Sequence, residues 1–522
     1  MKTIKFIIAS FALAAALTSC VGDLNVTPID PNANTADKAL DSEDAFLQYL
    51  AGLYTGYATS GYYGKDGGAS ISGLDGGASQ YIRGLYNLNE LTTDESVCGW
   101  NDQTIKDLHW MNWTTSDVFI YAFYSRIFMQ VNAANEYIRQ AEASSINFDK
   151  KAEYIAEARV LRALSYYHAI DNFGNVPFAL DDAVMGAFPE QTTREKLYSW
   201  LEGELKDLID NSALAEAKAN GYGRADKGVA KFILAKLYLN AKVYTGTPAY
   251  DKCADVLKAL MQDGYSLHTT ANGTVYSAYQ DLFLADNDRC TDEIIFAVQQ
   301  DGVNTNSYGV TNYLIFASVG GLMDPSEFGI SSGWGGLRTT PEFYDKFDAA
   351  DKRKLFWDDA KPGSDQQKSI DDIGEFTNGF GFMKFRNMNS DGTPGKEAGS
   401  VDTDFPMMRY ADVLLMAAEC EANGAPVDGY AGFNQVRERA GLTGIATPTL
   451  KQILDERGRE LYQECWRRSD LIRFGQFTTS EYLWQWKGNV KEGTAVEEHR
   501  NLFPIPTQDI QANNKLTQNP GY

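Results

Sequence analysis

Apolar side chains return every three or four residues in four successive segments, 116–142, 150–171, 196–210 and 226–244. That spacing gives a helix one buried face. Phe119, Phe123, Ile127 and Val131 mark it in the first segment, and Ala230, Ile233, Leu234, Leu237 and Tyr238 in the last. In the second, the run AEARVLRALSYYHAI alternates small alanines with aromatics, which lets helices approach closely. Further helices are predicted over 44–57, 404–423, 429–441 and 449–475. In the last, Thr449 and Gln452 form a capping-box pattern, and Asp404 is an N-cap candidate with Pro406 in the first turn. Gly458 interrupts 449–475 at a cost of ~1 kcal/mol relative to alanine, so close packing is expected there. Arg467, Arg468 and Arg473, laced with Trp466, Leu471 and Ile472, should lay their stems on apolar neighbours and pair with carboxylates. The chain is therefore predominantly α, built of helical hairpins.

Between 264 and 399 glycine, asparagine, serine, aspartate and aromatics take over, and 293–298 is the one strand-like run. This predicts an irregular, loop-rich insertion with small strands, and loops of such length usually carry function. At the N-terminus Lys2 and Lys5 precede an apolar run over 6–17, too short for a span and suited to a signal peptide. Leu17-Thr18-Ser19-Cys20 resembles a bacterial lipobox, which implies cleavage before Cys20 and its lipidation. The expected organisation is a signal peptide at 1–19, a lipidated tether at 20–41 and one globular body at 42–522. The membrane is reached through the lipid anchor only.

With a net charge of −23 and no basic stripe, the chain is a poor match for nucleic acid, whose phosphates need Lys and Arg. Cys98, Cys253, Cys290, Cys420 and Cys465 are scattered and odd in number, announcing neither a zinc site nor a disulfide framework. No HExxH, GxSxG, Walker or dinucleotide pattern occurs. Seventy carboxylates leave a glycosidase pair available, yet no spacing points to one. Binding is better supported. A sugar ring has an apolar CH face and a polar edge, so its site wants a flat Trp or Tyr with polar side chains at the rim. The segments 75–83, 98–103, 306–310 and 331–336 offer both. Trp334 lies among Ser331, Ser332, Gly333, Gly335 and Gly336 with no apolar periodicity, the setting of an exposed platform. The Gly/Ser-rich loop 61–77, with Tyr62 and Tyr63, reads equally as a surface excursion or as a ligand-facing loop.

The C-terminal third carries Glu456-Arg457-x-x-Glu460-Leu461 and Arg467-x-x-Asp470-Leu471-Ile472-Arg473-Phe474-Gly475. Arg409-Tyr410-Ala411-Asp412 precedes them, and Phe503-Pro504-Ile505-Pro506 and Gln518-Asn519-Pro520-Gly521-Tyr522 follow. Together these resemble the signature of the SusD/RagB family, outer-membrane lipoproteins that capture nutrients, mostly glycans, for a TonB-dependent, SusC-like transporter. The resemblance implies a TPR-like helical-hairpin scaffold, no catalysis and a cell-surface location. Asn89-Glu90-Leu91-x-Thr93-Asp94-Glu95 and Gln300-Asp301-Gly302-Val303 extend it towards a starch-binding member. By position it assigns Trp100, Tyr308 and Trp334 as an aromatic arc for α-glucan, and Asp75, Arg83 and Gln103 as polar contacts. Gln103 stands where that member has the shorter Asn, with Asn101 close by. Asp288, Asp402 and Asp404 offer hard oxygen ligands for a structural Ca²⁺, a reading the resemblance strengthens; the alternative is loop acids with a helix cap at Asp404. No other cofactor is expected. Two alternatives remain: the same family with another neutral glycan or a peptide, and a lipid-anchored glycoside hydrolase.

Overall fold

The computed structural model describes residues 40–65, 67–184 and 186–522, so the expected signal peptide, Cys20 and nearly all of the tether lie outside the described residues. The longer helices are α1 (Glu43–Ala58), α2 (Tyr81–Asn89), α3 (Val118–Ala143), α4 (Lys151–Asn172), α5 (Arg194–Asp210), α6 (Lys227–Leu239), α7 (Tyr250–Met261), α8 (Val310–Ser318), α9 (Tyr410–Ala422), α10 (Gly429–Arg439), α11 (Leu450–Leu461) and α12 (Arg467–Arg473). From α3 to α7 each helix packs on the next; α7 then meets α9, which packs on α10 and α11. Local chemistry sets several starts: Asp117 accepts from the Phe119 and Ile120 amides, Asp226 from Gly228 and Val229, and the Thr449–Gln452 capping box closes α11. Gly458 does sit in a close contact, since a Cβ there would lie 3.1 Å from Arg467 Nη1 and 3.3 Å from the Phe343 ring.

Three expectations need correction. The helix expected over 449–475 breaks at Tyr462 and restarts at Arg467, with Gln463 and Cys465 in the left-handed region at φ 61° and 71°. The break carries Glu464 into the core, where Arg409 and Lys384 bind it. The helix expected from Asp404 is instead a strand over Phe405–Arg409, fully buried and paired antiparallel with Ile294–Val298 before α9 begins. Finally, α8 arises inside the region read as irregular. It is buried at every position, so it shows no polar face to betray it.

The strands are β1 (Val97–Cys98), β2 (Val176–Pro177), β3 (Gln191–Thr192), β4 (Ile294–Val298), β5 (Leu337–Thr339), β6 (Phe356–Trp357), β7 (Phe380–Phe382) and β8 (Phe405–Arg409). One antiparallel sheet runs β1-β5-β7-β6, with Val97 opposite Arg338 and Cys98 opposite Leu337. The Gly99 amide extends that ladder to Gly336 O at 2.9 Å. A short sheet thus fastens the segment just before Trp100 to the segment just after Trp334.

The core also holds a buried ion network. Arg409 binds Glu293, Glu460 and Glu464, Arg439 binds Glu293 and Glu460, and Arg353 binds Asp351, Glu456 and Glu460. Arg467 makes a two-pronged pair with Asp94 at 2.7 and 2.8 Å, and Arg473 another with Glu419. Arg468 pairs more loosely, 4.0 Å from Asp171 Oδ2, while lying over Phe503 and donating to Asn501 O at 2.6 Å.

Candidate functional site

The loop carrying Trp334 is held by a helix end. The last turn of α8 leaves carbonyls without helical partners, and three loop amides take them: Trp334 N to Phe316 O at 2.7 Å, Gly335 N to Val319 O at 2.9 Å and Gly336 N to Ala317 O at 2.7 Å. Glycine is required for so flat a path, because a Cβ at Gly320 would lie 2.6 Å from Gly335 Cα. One face of the Trp334 ring rests on Phe316, with centroids 4.9 Å apart and planes at 33°. The ring is half-buried, a side-on support with the other side left open.

Trp100 and Tyr308 flank it. Trp100 donates its indole N–H to Trp334 O at 3.2 Å, and its ring approaches so closely over Gly336 that a Cβ there would lie 2.9 Å away. The centroids of Trp100 and Trp334 are 6.3 Å apart at 50°, and those of Tyr308 and Trp334 6.0 Å apart at 58°. All three rings are half-buried. Turned this far from one another, they offer no single flat surface; a ligand touching all three must bend.

The polar rim comes from α2 and the loop before it. Arg83 holds its guanidinium over Trp100 and Tyr313, at 5.4 and 4.6 Å from the ring centroids. Asp75 accepts from the Gly77 and Ala78 amides at 2.9 Å each, which fixes one of its oxygens. A Cβ on Gly77 would lie 3.0 Å from Arg83 Nη1 and 3.1 Å from Asp75 Oδ1, so the carboxylate and the guanidinium meet across a residue that must stay small. Asp75, Arg83, Trp100, Tyr308 and Trp334 together line an open groove of about 580 Å³, with Lys65, Gly68, Gly76 and Gly77 completing it.

Gln103 is not brought in. It opens the short helix Gln103–His109 and donates to Asp107 Oδ1 at 2.9 Å, on an exposed turn outside the groove lining. Its neighbour Asn101 is taken by Lys106 at 2.6 Å. Conversely, Lys65 was not singled out from the sequence; the only pointer was the Gly/Ser-rich loop around it, and of that loop's two readings the groove-lining one describes this part. Lys65 is fastened to Gly399 O and Ser400 Oγ at 2.7 and 3.1 Å.

The expected calcium ligands do not form a cage. Asp402 spends Oδ1 on the Gly302 amide and Oδ2 on the Lys396 amide, at 3.0 and 2.6 Å, with the Lys396 ammonium 3.6 Å from Oδ1. Asp404 accepts from Gln300 N at 2.7 Å, while Asp288 is exposed. Burial pushes the Asp404 carboxyl up to about 7, with Asp288 and Asp402 adding to the shift and the Gln300 amide opposing it. Among the described residues no three His, Cys, Asp or Glu side chains converge as a metal requires. Asp402 and Asp404 act as loop clamps, and Asp404 leads into a strand rather than capping a helix.

Half-open rings with a charged rim suit a ligand that has flat apolar faces and hydroxyl edges. Hydrolysis of a glycosidic bond ordinarily takes two carboxyl groups across the scissile linkage. Among the described residues lining the groove, Asp75 is the sole carboxylate.

Fold and groove together define a helical-hairpin protein that presents an open aromatic face. Residues 371–522 match the model of the SusD family. The whole chain is 32% identical to the starch-binding protein SusD of Bacteroides thetaiotaomicron, across 98% of this chain and 97% of that one. It is 25% identical to SusD-like protein P25 of Formosa agariphila, across 94% of this chain and 95% of that protein. The chain belongs to the SusD family. Its fold is also that of surface glycan-binding protein A from B. thetaiotaomicron in complex with laminarihexaose, with a TM-score of 0.69 at 19% identity over 91% of this chain and 99% of that one.

Proposed function

We propose that this protein binds α-glucan, as starch or maltooligosaccharide, at the cell surface without cleaving it, and delivers it to a SusC-like TonB-dependent transporter in the outer membrane. The observation that carries the reading is the set of three tilted rings, Trp100, Trp334 and Tyr308. An α-1,4-linked glucan coils, so successive glucose units turn their CH faces as successive rings here turn theirs. The likeness to a starch-binding relative at 32% identity supports the same ligand. Electrophoresis through amylopectin tests it: the protein should be retarded and should release no reducing ends. Unretarded migration, or sugar release, would overturn the reading. The laminarihexaose-bound neighbour makes a β-glucan the second ligand to try.

Gly336→Val separates the platform from the fold. The new side chain has no room beside Trp100, whose ring atoms lie 2.9 Å from a Cβ at that position. The flexible answer is for the Trp100 ring to swing away. Maltoheptaose affinity is expected to fall about tenfold, the loss of one stacked ring, and titration calorimetry would read it.

We further propose that Cys20 carries a lipid anchor. No helix among the described residues is long and apolar enough to cross a membrane. Cys20→Ala should move the protein from the membrane fraction to the soluble one; retention with palmitate still incorporated would sink the assignment.

A further inference from the structure

Tyr62 and Tyr63 are 89% and 85% exposed, more than any other large apolar or aromatic residue among those described. A single exposed ring on a surface is unremarked. Two adjacent ones on the loop that supplies Lys65 and Gly68 to the groove are different.

We propose that Tyr62 and Tyr63 are outer sugar platforms, extending the binding face beyond the three groove rings and giving the protein a preference for long linear α-glucans over short ones. The inference rests on the α-glucan reading above.

The placement supports it. The loop is clamped at its base by the buried Arg126, which donates to Ser60 O at 2.6 Å, to Ser70 Oγ at 3.0 Å and to Ser79 Oγ at 3.2 Å. The Ser70 amide closes it onto Ser60 O at 2.8 Å. Its tip is tied to the Tyr308 side of the groove, for Lys65 N donates to Asn306 Oδ1 at 3.1 Å and a Cβ on Gly64 would touch the same oxygen at 3.0 Å. Lys65 and Gly68, within a few residues of the tyrosines, line the groove itself. The tip is wound so tightly that a Cβ on Gly67 would run into Tyr63 Cβ, and one on Gly61 into Gly68 O. Tyr63 therefore stands on a narrow support, while Tyr62 lies within electrostatic reach of Tyr49 on α1 and both rings keep most of their surface in solvent. Tyrosine suits the task, offering a large flat contact and a hydroxyl while losing only two side-chain torsions on binding.

The experiment compares maltotriose with maltoheptaose by titration calorimetry, on the wild type, Tyr62→Ala/Tyr63→Ala and Tyr62→Phe/Tyr63→Phe. The wild type should bind the heptaose more tightly. The alanine pair should lose about tenfold on the heptaose, as expected for lost stacking, with its maltotriose affinity unchanged; the phenylalanine pair should keep most of the heptaose affinity. An alanine pair that binds both sugars like the wild type would overturn the proposal, and so would one that weakens both equally, which would mean the rings merely hold the groove. A wild type silent to both sugars would bring down the α-glucan reading and this one with it. A wild type that binds both, beside an unchanged alanine pair, brings down this one alone.

Discussion

Glu460→Ala is expected to cost this protein about 3–5 kcal/mol of stability, the usual penalty for removing one partner of a buried ion pair. The carboxylate is wholly buried and receives Arg409 at 3.0 Å and Arg353 at 3.1 Å, with Arg439 also in contact. Deleting it removes the one carboxylate that all three guanidiniums share and leaves N–H donors of each unpaired out of reach of water. Its worth is also readable by pH. Burial alone would raise the carboxyl, but Arg439, Arg409 and Arg353 outweigh that and hold it at about 2, below the ordinary 4.5. A folded-state value lower than the unfolded one makes the contribution complete above pH 4.5 and lost as the pH falls towards 2. Urea unfolding at pH 7 would give the stability loss, and repeating it at pH 3 should show the gap between variant and wild type narrowing. A gap that stays constant, or a variant as stable as the wild type at neutral pH, would contradict this account.

Trp334→Ala is expected to weaken maltoheptaose binding by about 1–3 kcal/mol, by analogy with the stacking of bases on aromatic rings. Multipoint attachment hides such losses on a polymer, so a short oligosaccharide is the right ligand. The fold should barely respond. The Trp334 backbone bonds to α8 do not involve the ring, and the ring itself is only half-buried. Phe316 loses its cover, so a small drop in Tm is expected. A variant that melts many degrees early with its affinity intact would show the ring to be core.

Much of the scaffold was legible because its helices are amphipathic and capped by local chemistry, which is the part of folding that sequence spacing reports. The failures share a cause. Helix α8 is buried on all sides, so VTNYLIFAS carries no period. The break after Leu461 is imposed from outside, by Arg409 and Lys384 capturing Glu464 and by Glu95 accepting the Gln463 amide. Pro406 suggests a helix start, while Phe405, Met408 and Arg409 are paired with β4. At the site, the glycine-rich setting of Trp334 points to an exposed platform, whereas the ring is half-buried and packs on Phe316 at the edge of the core; its companions come from the family resemblance. Position along the chain does not say whether a side chain turns towards a groove or back onto its own helix, as Gln103 does towards Asp107.

The β1–β5 pairing has a bearing on when the protein becomes competent. Trp100 and Trp334 are 234 positions apart in the chain, yet one donates a hydrogen bond to the other. Half of the aromatic face therefore does not exist until the other half has been made and folded against it, and contacts at such separation close late. A chain stalled before its second half emerges presents no face to which a polysaccharide could adhere. Binding that needs both rings would therefore double as a readout that the two distant parts of the chain have reached their native pairing.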